Sequence, residues 1–277
     1  AFTDDGAPVA SAEIMRRALE YCKMFDRAVL VHAEILELTT GGVMNEGEVS
    51  VRLGLRGMPG VAEDIMIYRD IVLAELTGGK VHILHVSTAG GVDLIRQGRS
   101  KGIRVSGEAC PHHFIFTDEK LATFDSNYKM SPPLRTKRDV DAIIEGLRDD
   151  TLTVLATDHA PHAAEKKAKE LDQTPNGIVG LETFLAACVT HLIEPGILTW
   201  PQMIAKMTTG PASVLGIDRG TLKAGAIADV TVIDPKLKWT VDAAKFKSKS
   251  RNTPWHGAEM TGRAAMTIVG GEVKHQL

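Results

Sequence analysis

Short apolar runs alternate with helix-length amphipathic segments through most of this 277-residue sequence, and this alternation is the strongest constraint on its fold. The runs expected to form strands are a partial run at residues 1–5 and runs at residues 28–32, 80–87, 103–108 and 152–158. The helix-length segments between them occupy residues 11–25, 61–76, 91–101 and 136–147. Strands that alternate with helices of this length form parallel βαβ units, so the pattern predicts an α/β fold built on a parallel sheet.

The pattern changes towards the end of the sequence. Three more helices are expected first, at residues 181–192, 200–207 and 211–215. Residues 222–234 then predict a turn and a strand, and residues 266–274 predict a hairpin around Gly270-Gly271. We therefore expect an α/β domain over residues 1–219 and a small β segment over residues 220–277.

The composition excludes several classes of function. The chain is 44% hydrophobic and 24% charged, with a formal net charge of −3, which is typical of a globular protein with a large core. Because nucleic acids and anionic membranes favour a clear basic excess, we expect neither as a partner. Three widely spaced cysteines, Cys22, Cys110 and Cys188, predict reduced thiols and a cytoplasmic location instead of a disulfide framework.

The first residues, 1–6, run from an apolar strand end directly into an acidic turn, and Ala1 is not an initiator Met. A processed terminus and a fragment of a longer chain are the two alternatives. We expect a fragment that lacks earlier strands.

Four of the predicted strands end in an acidic or imidazole side chain. These side chains are Asp5, His32, His85 and Asp158. In a parallel α/β barrel, the carboxyl ends of the strands converge on one face. One histidine at a strand end is more often structural than functional, but four such side chains on one face suit Zn²⁺ or a similar divalent ion.

The segment Ala156–His162 (Ala-Thr-Asp-His-Ala-Pro-His) is the most informative in the sequence. A carboxylate at the strand end, Asp158, can bind a metal and exchange a proton with water. His162 follows on a polar loop at residues 159–180, which suits a mobile lid, and it is placed to reach an anionic substrate. The alternative is that Asp158 caps the following turn and the histidines face solvent.

Segment Ala156–His162 resembles the last-strand signature of the dihydroorotases, a branch of the cyclic amidohydrolases. Further segments support the resemblance, at residues 1–6, 84–89, 108–113, 129–135, 177–183 and 252–257. Residues 225–235 resemble the small β-sandwich segment of the same family. The resemblance covers nearly the whole chain and implies a (β/α)8 TIM-type barrel of the metal-dependent hydrolase kind, N-terminally incomplete here with about strands 4–8, plus a β-sandwich segment.

Carried over by position, the resemblance implies that Asp5 bridges two metal positions. His32 and His85 would ligate one metal, while Asp158 would ligate the other and act as the catalytic acid and base. The implied cofactor is Zn²⁺, one or two ions per subunit. Asp4 competes with Asp5 for the bridging role, but the spacing to His32 favours Asp5 and predicts that Asp4 is a turn residue.

The resemblance also implies that Ser131, His162 and Gly177 bind substrate. Ser131 stands where the family usually has Asn before a Pro-Pro-Leu-Arg segment, and its hydroxyl is shorter and offers one donor. A second departure is that the chain contains no His-x-His pair, which the family carries on its first strand. We therefore expect the 277 residues alone to be poorly active. His112 and His113 are expected to shape a loop.

The implied activity is reversible hydrolysis of dihydroorotate to N-carbamoyl-aspartate in pyrimidine biosynthesis. Two alternatives remain open. One is a hydantoinase- or dihydropyrimidinase-like enzyme, and the other is an inactive homologue that serves as a scaffold for aspartate transcarbamoylase. The expected partners are the small-molecule substrate and either a second copy of the chain or aspartate transcarbamoylase.

Overall fold

The computed structural model describes residues 1–277, and its elements follow the predicted alternation. The strands are β1 (Phe2–Thr3), β2 (Ala28–Val31), β3 (Met44–Asn45), β4 (Gly57–Met58), β5 (Lys80–Ile83), β6 (Val105–Ala109), β7 (Val154–Leu155), β8 (Val230–Thr240), β9 (Glu259–Val269) and β10 (Glu272–Gln276). The helices are α1 (Ala12–Lys23), α2 (Leu36–Thr39), α3 (Glu48–Leu53), α4 (Val61–Thr77), α5 (Ala89–Ser100), α6 (Pro111–Ile115), α7 (Lys137–Arg148), α8 (Ala164–Lys167), α9 (Phe184–Cys188), α10 (Trp200–Met207) and α11 (Thr209–Leu215).

Five strands form a parallel sheet in the order β1-β2-β5-β6-β7. Successive strands are connected through α1, α4, α5 and α7, and these four helices pack side by side against the sheet. The short strands β3 and β4 form a separate parallel pair within the β2–β5 connection. The prediction of an α/β fold with a parallel sheet is confirmed.

Local sequence signals explain where these helices begin. Ser11 caps α1, because its side chain accepts a hydrogen bond from the Ile14 N–H at 3.3 Å. Thr88 caps α5 by accepting from the Gly91 N–H at 3.0 Å. A polar side chain at this position satisfies a backbone donor that the helix itself leaves unpaired.

One large core lies between the sheet and its helices. Its fully buried members include Ile83, Ile95, Ile143, Leu147 and Leu152. Because interiors are packed about as densely as organic crystals, this core holds the strands in fixed relative positions. The residues that follow the strands are thereby placed on one rigid edge.

The last three strands form an antiparallel sheet in the order β10-β9-β8. The predicted hairpin is confirmed: Gly270 and Gly271 join β9 to β10 with φ values of 58° and 85°, which glycine adopts without strain. Residues between β8 and β9, among them Val241 and Trp255, share a second core with Met130 and Leu134. A domain boundary at residues 219/220 therefore stays a prediction, since this part of the tail packs against the α/β unit.

No helix has the length and apolar character needed to span a membrane.

The structure differs from the predicted elements mainly at the ends of strands. The runs at residues 80–87 and 152–158 pair only over Lys80–Ile83 and Val154–Leu155. The chain leaves the extended conformation beyond them, and His85 and Asp158 have φ values of 33° and 47°. After Ile83 the apolar pattern continues through the buried Val86, so hydrophobicity alone overestimates strand length.

We predict that Ile95→Ala lowers the free energy of unfolding by about 2–5 kcal/mol, because it opens a cavity beneath the centre of the sheet. Val51→Ala serves as the control, since Val51 is 81% exposed on α3 and its truncation should change stability by less than about 0.5 kcal/mol. Denaturant unfolding measures both. Equal effects of the two substitutions would contradict the assignment of Ile95 to the core.

Candidate active site

Three of the predicted ligands meet at the carboxyl edge of the parallel sheet. The Nδ1 atom of His32 lies 3.1 Å from the Nε2 atom of His85. The Oδ1 atom of Asp5 lies 3.5 Å from His32 Nδ1 and 3.4 Å from His85 Nε2. These three atoms form a nearly equilateral triangle, which we call the ligand triangle.

The ligand triangle has the dimensions of a metal site. A tetrahedral Zn²⁺ ion with bonds of about 2.0–2.1 Å separates its ligand atoms by about 3.3–3.4 Å. The side chains of His32 and His85 are buried, whereas that of Asp5 is 51% exposed towards the adjoining cavity. The donor set and its spacing therefore fit one divalent ion whose remaining coordination position faces the cavity.

Glu34 orients His32 for this role. Its Oε2 atom lies 2.8 Å from His32 Nε2, so the imidazole donates its Nε2–H to the carboxylate and presents Nδ1 to the ligand triangle. Burial lowers the pKa of His32, but hydrogen bonds and charge from Asp5 and Glu34 outweigh burial and raise it to about 9. The same contacts with His32 and His85 hold the pKa of Asp5 below its usual range. Sequence reasoning missed Glu34, although its position two residues after His32 was a usable signal.

Asp4 has a structural role. Its carboxylate accepts the backbone N–H groups of His32 and Val9, both at 2.8 Å, and thereby ties the turn after β1 to the end of β2. These contacts support the expectation that Asp4 is the turn residue and Asp5 the ligand.

His85 is held by a second carboxylate that sequence reasoning did not single out. Glu108 accepts the backbone N–H of His85 at 3.3 Å and contacts His82 Nε2 at 3.0 Å. The other ring nitrogen of His82 lies 2.7 Å from the Ser106 hydroxyl. A histidine with positive φ needs support of this kind, because its side chain crowds the backbone there.

Asp158 lies on a cavity of about 320 Å³ beside the ligand triangle. The cavity is lined by Asp5, Gly6, His32, Glu34, Ser131, Asp158, Ala160, Asn176 and Gly177. Burial raises the pKa of Asp158, and the charges of Asp5 and Glu108 also raise it, while His85 opposes them. A carboxyl group with a raised pKa is suited to proton transfer.

Two of the three predicted substrate-binding residues line this cavity. Ser131 and Gly177 are on its wall, but the Nε2 atom of His162 lies 2.7 Å from the carbonyl oxygen of Asn176. Gly177 has a φ of 116°, and an added Cβ would lie 2.5 Å from the Cβ of Ala160. Only glycine fits this point of the wall. A substrate-binding role for His162 stays a prediction.

Side chains from outside the loop at residues 159–180 hold it in place. Asn252 donates to the carbonyl oxygens of Ala160 and Gly177 at 2.9 and 3.0 Å, and its own oxygen accepts the His162 N–H at 3.2 Å. The buried ammonium group of Lys129 donates to the carbonyl oxygens of the loop at Leu171 and Thr174. These contacts favour a fixed wall of the cavity over a mobile lid.

Cys110, His112 and His113 form a second group of potential metal ligands nearby. All three are fully buried, which lowers the pKa of His112 to about 3 and raises that of the Cys110 thiol well above its usual range. His113 Nε2 contacts the carbonyl oxygen of Pro132 at 2.9 Å, within the loop that carries Ser131. This contact supports the expectation that the histidine pair shapes a loop.

The sequence is similar to a family model and to known proteins of that family. A model of the amidohydrolase family matches residues 1–274. The chain is 50% identical over 273 residues to a dihydroorotase of Acetivibrio thermocellus, covering 99% of this chain and 64% of that protein. It is 53% identical over 276 residues to a dihydroorotase of Pelotomaculum thermopropionicum, covering 100% of this chain and 65% of that protein. The chain thus spans 64–65% of the length of these two relatives.

Among solved structures, an L-hydantoinase (dihydropyrimidinase) from Arthrobacter aurescens superimposes with a TM-score of 0.87 at 26% sequence identity. The match covers 100% of this chain and 63% of that chain. The structural similarity therefore includes both the parallel sheet and the C-terminal antiparallel sheet.

We predict that Glu34→Gln lowers the pKa of His32 from about 9 in the metal-free protein, because the substitution removes a carboxylate that stabilises the imidazolium. Protonation of His32 stabilises the fold fully below its unfolded pKa of 6.5, and this contribution is lost as pH rises through about 9. The free energy of unfolding of the variant should therefore depend less on pH. Histidine NMR titration with chelator present measures the pKa. The control is Glu37→Gln, and an unchanged His32 pKa in the Glu34 variant would contradict the assigned contact.

Proposed function

The chain belongs to the amidohydrolase family, and on that basis we propose that the protein is a dihydroorotase, which converts dihydroorotate reversibly to N-carbamoyl-aspartate. The ligand triangle of Asp5, His32 and His85 carries the proposal, since its spacing fits one divalent ion. Identity of 50–53% to dihydroorotases supports this substrate among the cyclic amides.

Zn²⁺ is the proposed cofactor, as one or two ions. Two imidazoles and a carboxylate are ligands that Zn²⁺ accepts readily, and the cavity leaves a position open. When bound, zinc supplies Lewis-acid activation of water and of the amide carbonyl. Asp5 would hold the ion together with the two histidines and would bridge to a second ion if one binds near Asp158.

Asp158 is the proposed catalytic acid and base. Its raised pKa and its place on the cavity wall suit it to take a proton from the attacking water. The water oxygen would bond to the amide carbon, and Asp158 would give the proton to the ring nitrogen as the C–N bond breaks. The open product then carries a new carboxylate at that carbon and a carbamoyl group at the released nitrogen. Run in reverse, the same proton transfers close the ring.

Ser131 and Gly177 are proposed to orient the substrate, because both line the cavity that Asp158 shares. His162 is included in this proposal because it lies on the loop that follows Asp158. Rotation of its ring away from Asn176 is required before its Nε2 atom can reach a ligand.

We also propose that the parallel sheet is strands 4–8 of an eight-stranded barrel and that β8–β10 belong to a small β-sandwich. In this proposal the barrel domain covers residues 1–219 and the sandwich segment residues 220–277. The similarity to the hydantoinase structure supports this arrangement. All three cysteines are free and buried, which supports the proposed cytoplasmic location.

Two other functions remain as alternatives. A hydantoinase- or dihydropyrimidinase-like activity is favoured by the structural similarity to L-hydantoinase, at 26% identity. A scaffold for aspartate transcarbamoylase would have no need of a metal site, so the geometry of the ligand triangle argues against it. Association with that enzyme or with a second copy of the chain stays a prediction.

We predict that the complete encoded protein, loaded with Zn²⁺, turns over dihydroorotate faster than dihydrouracil or hydantoin. Chromatographic measurement of the ring-opened products compares the three substrates at equal concentration. Preference for an uncharged ring would contradict the proposed substrate and favour the hydantoinase alternative. Zinc binding without turnover of any ring would favour the scaffold.

We predict that Asp158→Asn lowers kcat by about 10²–10⁴-fold, because the amide cannot transfer the proton. The ligand triangle is unchanged in this variant, so it should still bind the one zinc ion held by Asp5, His32 and His85. The exposed Asp218 provides a matched control, and Asp218→Asn should leave kcat unchanged. Steady-state kinetics and zinc content measure the effects, and a kcat close to that of the unmodified protein would exclude Asp158 as the acid and base.

A further inference from the structure

A buried ion pair that the proposed mechanism does not use lies beside the ligand triangle. Glu63, in the first turn of α4, and Arg135, at the end of the Pro-Pro-Leu-Arg segment, are 3% and 4% exposed. Arg135 Nη2 lies 3.5 Å from Glu63 Oε2. Both side chains border a small cleft that also contacts His32 and Ser131.

Glu63 holds the loop that follows His85. Its Oε1 atom accepts the backbone N–H of Ser87 at 2.8 Å, and its Oε2 atom accepts the Ser87 hydroxyl. The neighbouring carboxylate, Asp64, accepts the hydroxyl of Thr88 at 2.6 Å. Two consecutive side chains of α4 thus fix Ser87 and Thr88, which follow His85 by two and three positions.

Arg135 joins this loop to two other segments. Its Nε atom donates to the Ser87 hydroxyl at 3.1 Å, and its Nη1 atom donates to Asn45 Oδ1 at 3.1 Å and to the Met58 carbonyl oxygen at 2.6 Å. Asn45 and Met58 belong to β3 and β4. One guanidinium therefore connects the His85 loop and the β3–β4 pair with the segment that carries Ser131.

The Glu63–Arg135 ion pair contributes to the geometry of the loop and not to net stability. Burial strips both charges of their hydration, so buried ion pairs add little net stability compared with apolar residues of the same size. The loop that they hold contains a metal ligand in the left-handed region, His85 with a φ of 33°. Such a conformation persists only when surrounding contacts determine it, and the contacts from Glu63 and Arg135 are of this kind.

We propose that Glu63 and Arg135 are positioning residues that fix His85 for metal binding and link it mechanically to the segment carrying Ser131. This inference rests on the proposed function, because it assumes that the ligand triangle binds a metal. It assigns a role to two buried charged residues that lie outside the ligand triangle.

The test measures Zn²⁺ affinity on the complete encoded protein, by competition with a chromophoric chelator. Glu63→Gln keeps the shape of the side chain but removes the charge that holds Ser87 and Arg135. We expect Zn²⁺ affinity to fall by about 10–100-fold, as is typical when support of a ligand is lost. The visible absorption spectrum of the Co²⁺-substituted protein should also change, which a loss of stability alone would not produce.

Lys206→Met is the matched control. Lys206 is also buried, and its ammonium group contacts Asp150 Oδ1 at 2.6 Å and the Leu152 carbonyl oxygen at 2.8 Å. These contacts lie before β7, at the end of the strand opposite Asp158. This variant should lose thermal stability but keep the Zn²⁺ affinity and Co²⁺ spectrum of the unmodified protein.

Ser87→Ala provides a milder variant if Glu63→Gln does not fold. It removes the hydroxyl that both Glu63 and Arg135 contact, and we expect a smaller decrease in Zn²⁺ affinity with the same direction of spectral change. Unchanged affinity and spectrum in the folded variants would overturn the positioning role alone. Absence of Zn²⁺ binding by the unmodified protein would overturn the proposed function and this inference together.

Discussion

The site depends on the parallel register of β1, β2 and β5. Thr3 pairs with Leu30, and Leu30 pairs with His82, so three positions are aligned across the sheet. The three proposed ligands stand two or three residues beyond them, at Asp5, His32 and His85. Because side chains alternate between the faces of a strand, a shift of one residue in this pairing would turn a ligand away from the other two.

Opposite charges stabilise the ligand triangle. Asp5 is an anion with a lowered pKa, and protonated His32, with a pKa of about 9, neutralises it. A metal ion requires the unprotonated nitrogen of His32, so the ion replaces a proton. The carboxylate of Glu34 keeps the His32 ring in the same orientation in the protonated and the metal-bound state. It accepts the Nε2–H of His32 whether a proton or a metal occupies Nδ1.

Much of the fold and part of the site could be predicted from the sequence. The alternation of apolar and amphipathic segments predicted the parallel sheet and α1, α4, α5 and α7, because these elements have clear periodicity. Two-residue strands such as β3 and β4 have none and were missed. Glu63, Arg135 and Asn252 were also missed as supports, since their importance lies in contacts with residues distant in the sequence.

Asp5, His32 and His85 are proposed to bind one divalent ion. Anomalous diffraction at the zinc absorption edge, on crystals of the zinc-loaded complete protein, tests it directly. We expect an anomalous peak within about 2.0–2.2 Å of Asp5 Oδ1, His32 Nδ1 and His85 Nε2. No peak at this position, or a peak only beside Cys110, His112 and His113, would contradict the proposed metal site.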